Sequence, residues 1–444
     1  MLGLAFIAAG TVHAQTTLSL SQALQAARTH DPRYQIALRE FEGSREYRIA
    51  GKAATSAEAT ASASAYRNLL EQRVGAVSRD SAYTSSSLAL QVRQPLYAPE
   101  LQARVAIGEA RSLQGEAQLA VRDAELSLRV IDAYLQSAVL RGQLVSVDAL
   151  IQALEQQSRG AERMIQLGEG TRTDSLEARS RLQLARAQRI EAEESLRDAR
   201  RRLATMVGGA PAQPGRQEPA DAASLSPGFE PLRLEPEPLS AWEALALENN
   251  PQIRVARHAA SVARAEAQRN DAQKKVRVDA IGSLSRNDSD SVNTLNQTNT
   301  QASIGVQLTV PIFNGGRLDS AARLAVAQAS QAEAELLDAQ ESALADVRLF
   351  HSQVASTAGR IQALGLAREA AALQVDATRQ SVKGGIRVML DVLNAESQRY
   401  EVERDLVRVR AEHLRAWVKL RSTAGVLADA DVARLDKAFE DAKK

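Results

Sequence analysis

The chain has no cysteine among its 444 residues. That excludes disulfides, thiolate metal sites and a lipid-carrying cysteine behind a leader. Aromatic residues make up 3%, too few for a large globular core that draws its buried area from Phe, Tyr and Trp. Beyond the N-terminal stretch no apolar run approaches the ~18 residues of a membrane helix. A membrane location would therefore have to be built from strands. Net charge is +1, without the concentrated basic surface that nucleic acid demands. Catalytic signatures are missing too. His30, His258, His351 and His413 are scattered, with no HExxH spacing, and no GxxxxGK[ST] loop occurs. No enzyme, metal or cofactor is expected.

What is present is alanine, with Leu, Gln, Glu and Arg in long runs. This composition predicts extended helices packed side by side. Acidic residues alternate with Arg at i,i+3 and i,i+4, as on solvated helix faces. The start, MLGLAFIAAGTVHAQ, reads as a secretory leader over 1–14, cut after Val12-His13-Ala14 to leave Gln15. It carries no basic residue at its beginning, which points to a start upstream of Met1.

The rest of the chain repeats itself. LSLSQALQAARTHDPRYQIA resembles LSAWEALALENNPQIRVA, LALQVRQPLY parallels VQLTVPIF, and GEGTRTDSLEA parallels GIRVMLDVLNA. A constant offset of 217 residues separates Asp174 from Asp391 and Gly208 from Gly425. One duplication thus gives a first structural repeat over 15–208 and a second over 239–425, with a tail over 426–444. Between the repeats, 209–238 holds seven of the 12 prolines. It reads as an extended connector laid against the surface.

Each repeat predicts a short helix, a medium helix, two strands, a very long helix and a returning helix. The first long helix is expected over Pro99–Leu167, roughly 100 Å at 1.5 Å per residue, with Leu126, Val130, Ala133, Leu140, Leu144, Val147, Ile151 and Leu154 at coiled-coil-like spacing. The second runs from Arg317 to about Ser381. Glycines at 168, 170, 384 and 385 end them, and the return arms begin at Asp174 and Asp391. The strands, about 55–94 and 276–312, alternate with period two. Leu88, Leu90 and Val92 oppose Ala89, Gln91 and Arg93, and Ile304, Val306, Leu308 and Val310 oppose Gly305, Gln307 and Thr309. Prolines 95 and 311 end them. Between the strands, AVSRDSAYTSSS and NDSDSVNTLNQTNT read as long polar loops. This pattern fits an outer-membrane barrel or, alternatively, a soluble hairpin with one face on a core. Four strands cannot close around a lumen, and open edges are not tolerated in lipid, so the membrane reading demands several copies.

Taken together, HDPRYQIA and NNPQIRVA, VRQPLY and LTVPIFNGG, and GTRTDSLEA and GIRVMLDVLNAE resemble the TolC family of outer-membrane exit ducts, over about Leu18 to Gly425. The C-terminal DVLNAESQRYEVERDLVRVRAEHLRAWVKLRSTAG looks especially like members serving type I protein secretion. The resemblance implies a mainly α chain with a small β part. It would form a homotrimer with a 12-stranded β-barrel and a twelve-helix tunnel, in the outer membrane and periplasm of a Gram-negative bacterium. It also implies partners, a periplasmic adaptor and an inner-membrane pump, ABC or proton-driven, because the duct carries no energy source. An exported coiled-coil structural or adaptor protein is the competing reading of the helices.

Further residue roles come from the same resemblance. Thr173, Asp174, Arg387, Asp391 and Asn394 correspond to the periplasmic gate, with Arg387 linking to Asp174 or Thr173 of a neighbouring hairpin. Family members often carry two acids one turn apart where Asp391 and Asn394 stand; one carboxylate ring weakens the cation preference of two. The family's tyrosine is replaced by Val382. Gly168, Gly384 and Gly385 correspond to a hairpin tip for adaptor docking, and Pro95 and Pro311 to strand-to-helix junctions. Simpler roles also exist: helix N-caps for the two aspartates and helix ends for the glycines. Gln91 and Arg93 are expected on the lumen face, with the barrel rim as the alternative for Arg93.

Overall fold

The computed structural model describes residues 18–168, 171–208, 222–226, 228–291 and 294–440. In chain order they form α1 (Leu20–His30), α2 (Pro32–Ala53), β1 (Glu58–Val74), β2 (Val77–Tyr97), α3 (Pro99–Gln166), α4 (Arg172–Val207), β3 (Ser224–Leu225), α5 (Leu239–Asn249), α6 (Pro251–Ala272), β4 (Arg277–Ser291), β5 (Thr294–Thr309), α7 (Arg317–Lys383), α8 (Met389–Thr423), α9 (Asp429–Asp436) and β6 (Phe439–Glu440). The leader, and residues 209–221 of the connector, lie outside the described residues.

The duplication is visible in the backbone. Helices α2, α3 and α6 open on Pro32, Pro99 and Pro251, where a missing N–H costs nothing. Gly208 and Gly425 follow α4 and α8 with φ of 79° and 70°. Both take the left-handed conformation that a helix end favours and a Cβ disfavours. Gly168 and Gly385, at 77° and 71°, make the matching turns after α3 and α7.

Two compact units share the chain. One comprises Met1–Leu38, Ala120–Pro251 and Gln340–Lys444, the other Arg39–Leu119 and Gln252–Ala339. In the first, Leu20, Leu126, Val130, Tyr134, Trp242, Leu414, Trp417 and Leu420 form a core that excludes solvent almost completely. Each such side chain contributes about 1.5–3 kcal/mol relative to exposure. Tyr134 joins three segments at its centre. Its hydroxyl donates to Leu18 O at 2.9 Å and accepts from Ala223 N at 3.1 Å, and its ring meets Phe439 edge-on at 4.9 Å. Charge follows the same lines. Asp31 is 3% exposed and caps α2 through the Tyr34 N–H at 3.0 Å while taking two bonds from Arg129. Burial pushes its carboxyl up, but the bonds from Arg129 and Tyr34 outweigh burial and hold it below the usual carboxylate range.

The second unit holds one antiparallel sheet of order β1-β2-β4-β5 and closely approaching helices. A Cβ on Gly108 of α3 would sit 2.3 Å from the Tyr47 carbonyl oxygen of α2, so glycine sets that helix spacing.

Several local expectations are corrected. Most of the two polar stretches read as loops is strand. β1 and β2 pair without interruption from Glu58↔Arg93 to Val74↔Val77, leaving a turn of Gly75 and Ala76 in which Gly75 has φ 63°. Ser, Thr and Tyr suit a pleated ribbon wet on both faces, and a two-residue turn needs the positive φ. Pro95 does not end β2. It lies inside the strand opposite Asp279, at a register shift before Tyr97, where its absent N–H removes no regular ladder bond. Pro311 does lie beyond β5. The return helices begin earlier than expected, at Arg172 and Met389.

Candidate duct wall and closing tip

Residues directly opposite one another in a sheet share a face. The register places Ala61, Leu90, Leu284 and Ala302 in one row, and Ala59, Val92, Gly282 and Ile304 in the next. This face is apolar and open to the surroundings: Ile304 is 93% exposed, Val306 70% and Leu308 65%. The other face carries Thr60, Gln91, Ser283 and Ser303 in one row, and Glu58, Arg93, Ile281 and Gly305 in another. Cross-strand hydroxyl bonds, Ser64 to Ser87 at 2.8 Å and Ser283 to Ser303 at 2.7 Å, line it. Gln91 and Arg93 thus stand on the polar face, as the alternation predicts. A soluble hairpin would turn its apolar face to a core; here that face is bare, which suits hydrocarbon. Beyond the sheet, Ile312 and Phe313 are also exposed.

The tip lies in the other unit, where α3 turns into α4 and α7 into α8. Thr171, not Asp174, is the N-cap of α4. Its Oγ1 accepts the Asp174 N–H at 3.1 Å and donates to Asp174 Oδ2 at 2.7 Å. Asp174 sits in the first turn, where a carboxylate complements the helix dipole. Asp391 holds the same place in α8, whose N-cap is Val388. Thr173 and Arg387 are exposed, and among the described residues Arg387 has no side-chain partner. Gly168, Gly384 and Gly385 lie in the turns. The Val382 carbonyl accepts from the Gly385 N–H at 3.0 Å.

Toward the tip, Arg181 joins the two hairpins, as Arg415 of α8 and Asp132 of α3 do farther from it at 2.6 Å. From α4, Arg181 donates to Asn394 Oδ1 at 2.9 Å and to Ser397 Oγ at 3.4 Å on α8, and it pairs with Glu177 at 2.9 Å. Within the second hairpin, Arg379 of α7 is bonded to the buried Glu396 of α8. Arg179–Glu162, Arg186–Glu155 and Arg189–Asp148 cross-link α4 to α3. Underneath, Leu150, Leu154, Ala178, Leu182, Ala185 and Leu393 form a separate core. Sequence reading overlooked Arg181. The signal was there: shifted by the repeat offset, Glu177 falls on Asn394, so Arg181 bridges a residue and its own duplicate.

The connector is bound through its backbone carbonyls and through Phe229, which is buried in the core with its ring edge-on to His413 at 6.2 Å. Carbonyls of Ser226, Leu232, Arg233, Pro236 and Glu237 face donors on Arg410, His413, Trp417, Trp242 and His351, at 2.7–3.4 Å. A carbonyl can only accept, so His413 carries its proton on Nε2. Its Nδ1 lies 3.0 Å from Thr357 Oγ1 of α7. Burial lowers the His413 pKa below the ordinary value, more than the nearby Leu232 and Val354 carbonyls restore it.

No helix among the described residues is long and apolar enough to cross a membrane; the sheet carries a continuous exposed apolar face. Together with the paired long hairpins, this defines the outer-membrane class of exit ducts for efflux or secretion. The chain belongs to the outer membrane efflux protein family, whose pattern matches residues 54–209 and 242–426. It is 35% identical to the alkaline protease secretion protein AprF of Pseudomonas aeruginosa, over 94% of this chain and 86% of that one. It is 32% identical to the proteases secretion protein PrtF of Dickeya chrysanthemi, over 81% and 77%. The crystal structure of the outer membrane protein VceC from Vibrio cholerae superposes with a TM-score of 0.78 at 21% identity, over 91% of this chain and 96% of that one. The competing reading, a coiled-coil fibre or adaptor, is set aside by this membership.

Proposed function

We propose that three copies of the chain form the duct, closing a 12-stranded barrel around the polar sheet face and a tunnel of long helices. The observation that carries this is the two-faced sheet with its outer strands β1 and β5. In lipid those edges must be paired, and β5 of one copy against β1 of the next pairs them all. The duct is passive. An adaptor docks at the tip turns, around Gly168, Gly384 and Gly385, and an inner-membrane pump supplies the energy. The tip is the gate. Thr173, Asp174, Arg387, Asp391 and Asn394 close it, with Arg387 reaching a neighbouring hairpin. The cargo is protein, of the type I secretion class; the likeness to AprF and PrtF supports this.

The test is single-channel conductance in planar bilayers, comparing the native protein with Arg387→Ser. Small, cation-preferring steps that become larger in the variant are expected. Equal conductance keeps the duct and moves the gate off Arg387; failure of both proteins to insert refutes the barrel. Cargo class is read in a Gram-negative host lacking its own duct but holding a protease exporter and adaptor. Protease in the medium is expected; dye efflux without protease export refutes the protein reading.

A further inference from the structure

The apolar face of the sheet does not end in a uniform polar rim. One row beyond Ala61, Leu90, Leu284 and Ala302, the register aligns Ala63, Leu88, Arg286 and Thr300. Further toward the hairpin turns, Ala65 faces Ser86 and Arg67 faces Thr84. All lie on the same side of the sheet as the apolar rows. The small residues leave a hollow of about 550 Å³ lined by Ala63, Ala65, Ser86, Leu88, Arg286 and Asp288, together with Ser64 and Ser87 of the intervening positions. Arg286 closes it on the β4 side. Arg67, the next same-face residue after Ala65, flanks it on β1. Both arginines are exposed. Arg67 donates to Thr84 Oγ1 at 3.2 Å, and Arg286 Nε lies 3.6 Å from Asp288 Oδ2, an ion pair longer than a hydrogen bond.

An arginine on a lipid-facing strand is unfavourable in hydrocarbon but not at its boundary, where headgroups carry phosphate. The guanidinium fork matches phosphate oxygens two at a time. We propose that Arg67 and Arg286 clamp the phosphate of a lipid in the outer leaflet, with the hollow over Ala63 and Ala65 taking the adjoining part of its headgroup. The occupant is a membrane lipid rather than a free anion, because the site adjoins the apolar belt on its lipid side. Asp288 opposes the anion, and the two arginines outweigh it. The proposal rests on the barrel reading, through the choice of which face meets lipid and which end is outermost.

The experiment uses the full protein in phosphatidylcholine nanodiscs doped with diphosphorylated lipid A, with retained lipid counted by native mass spectrometry. Native protein is expected to retain lipid A, and Arg67→Gln/Arg286→Gln about tenfold less, as befits loss of two charge-assisted forks. Arg73→Gln/Arg79→Gln, at the hairpin tip, is expected to match the native protein. Asp288→Asn is expected to raise retention. Equal retention by the Gln pair, equal retention of dephosphorylated lipid A, or displacement by millimolar inorganic phosphate overturns the site. Insertion into the disc is scored separately by the heat-resistant oligomer on gels, so loss of insertion counts against the barrel. If the Gln pair does not insert, Asp288→Asn decides: a rise supports the clamp, and no change or a fall overturns it.

Discussion

Replacing Arg181 by Ser tests whether the contact between α4 and α8 holds the tip shut. The native guanidinium bonds Asn394 at 2.9 Å and Ser397 at 3.4 Å. Its pairing with Glu177 is within α4 and survives any separation of the two helices, so only the α8 contacts count, and of these the 3.4 Å approach to Ser397 is too long to add materially. A charge-assisted bond at a partly exposed site contributes about 1 kcal/mol net. Three copies breaking together in a trimer would oppose opening by about 3 kcal/mol, which shifts the open-to-closed ratio about 150-fold. The assay is open probability of single channels in planar bilayers at fixed voltage and salt. Arg181→Ser should raise it by about two orders of magnitude, the ceiling of this estimate. Arg181→Lys keeps the charge but not the fork and should fall between. Asn394→Asp converts the bond into an ion pair and should lower it. A change below about threefold in Arg181→Ser, under 1 kcal/mol in all, would refute the reasoning. So would a rise in open probability with Asn394→Asp.

Two further outcomes follow from packing and protonation. Gly108→Ala places a methyl 2.3 Å from the Tyr47 carbonyl, and should destabilise by at least 1–3 kcal/mol, roughly the cost of overpacking. Gly43→Ala, with nothing within 4 Å, should be neutral or gain up to about 1 kcal/mol; equal melting temperatures would refute the contact. His413 is neutral and buried when folded, whereas unfolded histidine takes up its proton below about pH 6.5. Stability should therefore fall as pH drops through that value, by up to about 1.4 kcal/mol per unit. Limited proteolysis of the connector between pH 7.5 and 5.5 should show this, and His413→Gln should flatten the slope; an unchanged slope would exclude His413 as the cause.

Periodicity made the long elements legible. Leu88, Leu90 and Val92 announce a two-faced strand whatever surrounds them, because alternation is a local property of the pleat. The extension of β1 and β2 to Gly75 was not legible. Ser, Thr and Asp occur equally in loops and in ribbons solvated on both sides, and only the pairing partner distinguishes them. Helix starts were misplaced by two residues for the same kind of reason. Asp174 is a good N-cap, but Thr171 is one too, and the choice depends on how the turn after Gly168 delivers the chain. The tip was read from motif positions, which gave Asp174 and Asp391 their place in the first turns. It missed Arg181 because a cross-hairpin contact depends on which helices are neighbours. His413 read as a scattered histidine, since nothing local says that a connector's carbonyls will need donors.

That connector has an evolutionary consequence. A strap recognised through its carbonyls offers the same oxygens whatever side chains it carries. Substitutions at the exposed positions between Ser226 and Glu237 should therefore drift readily, provided the path stays extended and Phe229, Leu232 and Leu234 keep their places against the core. The constraint falls instead on the receiving wall, where each of Arg410, His413, Trp417, Trp242 and His351 answers one oxygen. In this duct the segment that looks most variable would be held in place by residues far away in sequence, and a change in the wall, not in the linker, would loosen the seam between the two halves of the ancestral duplication.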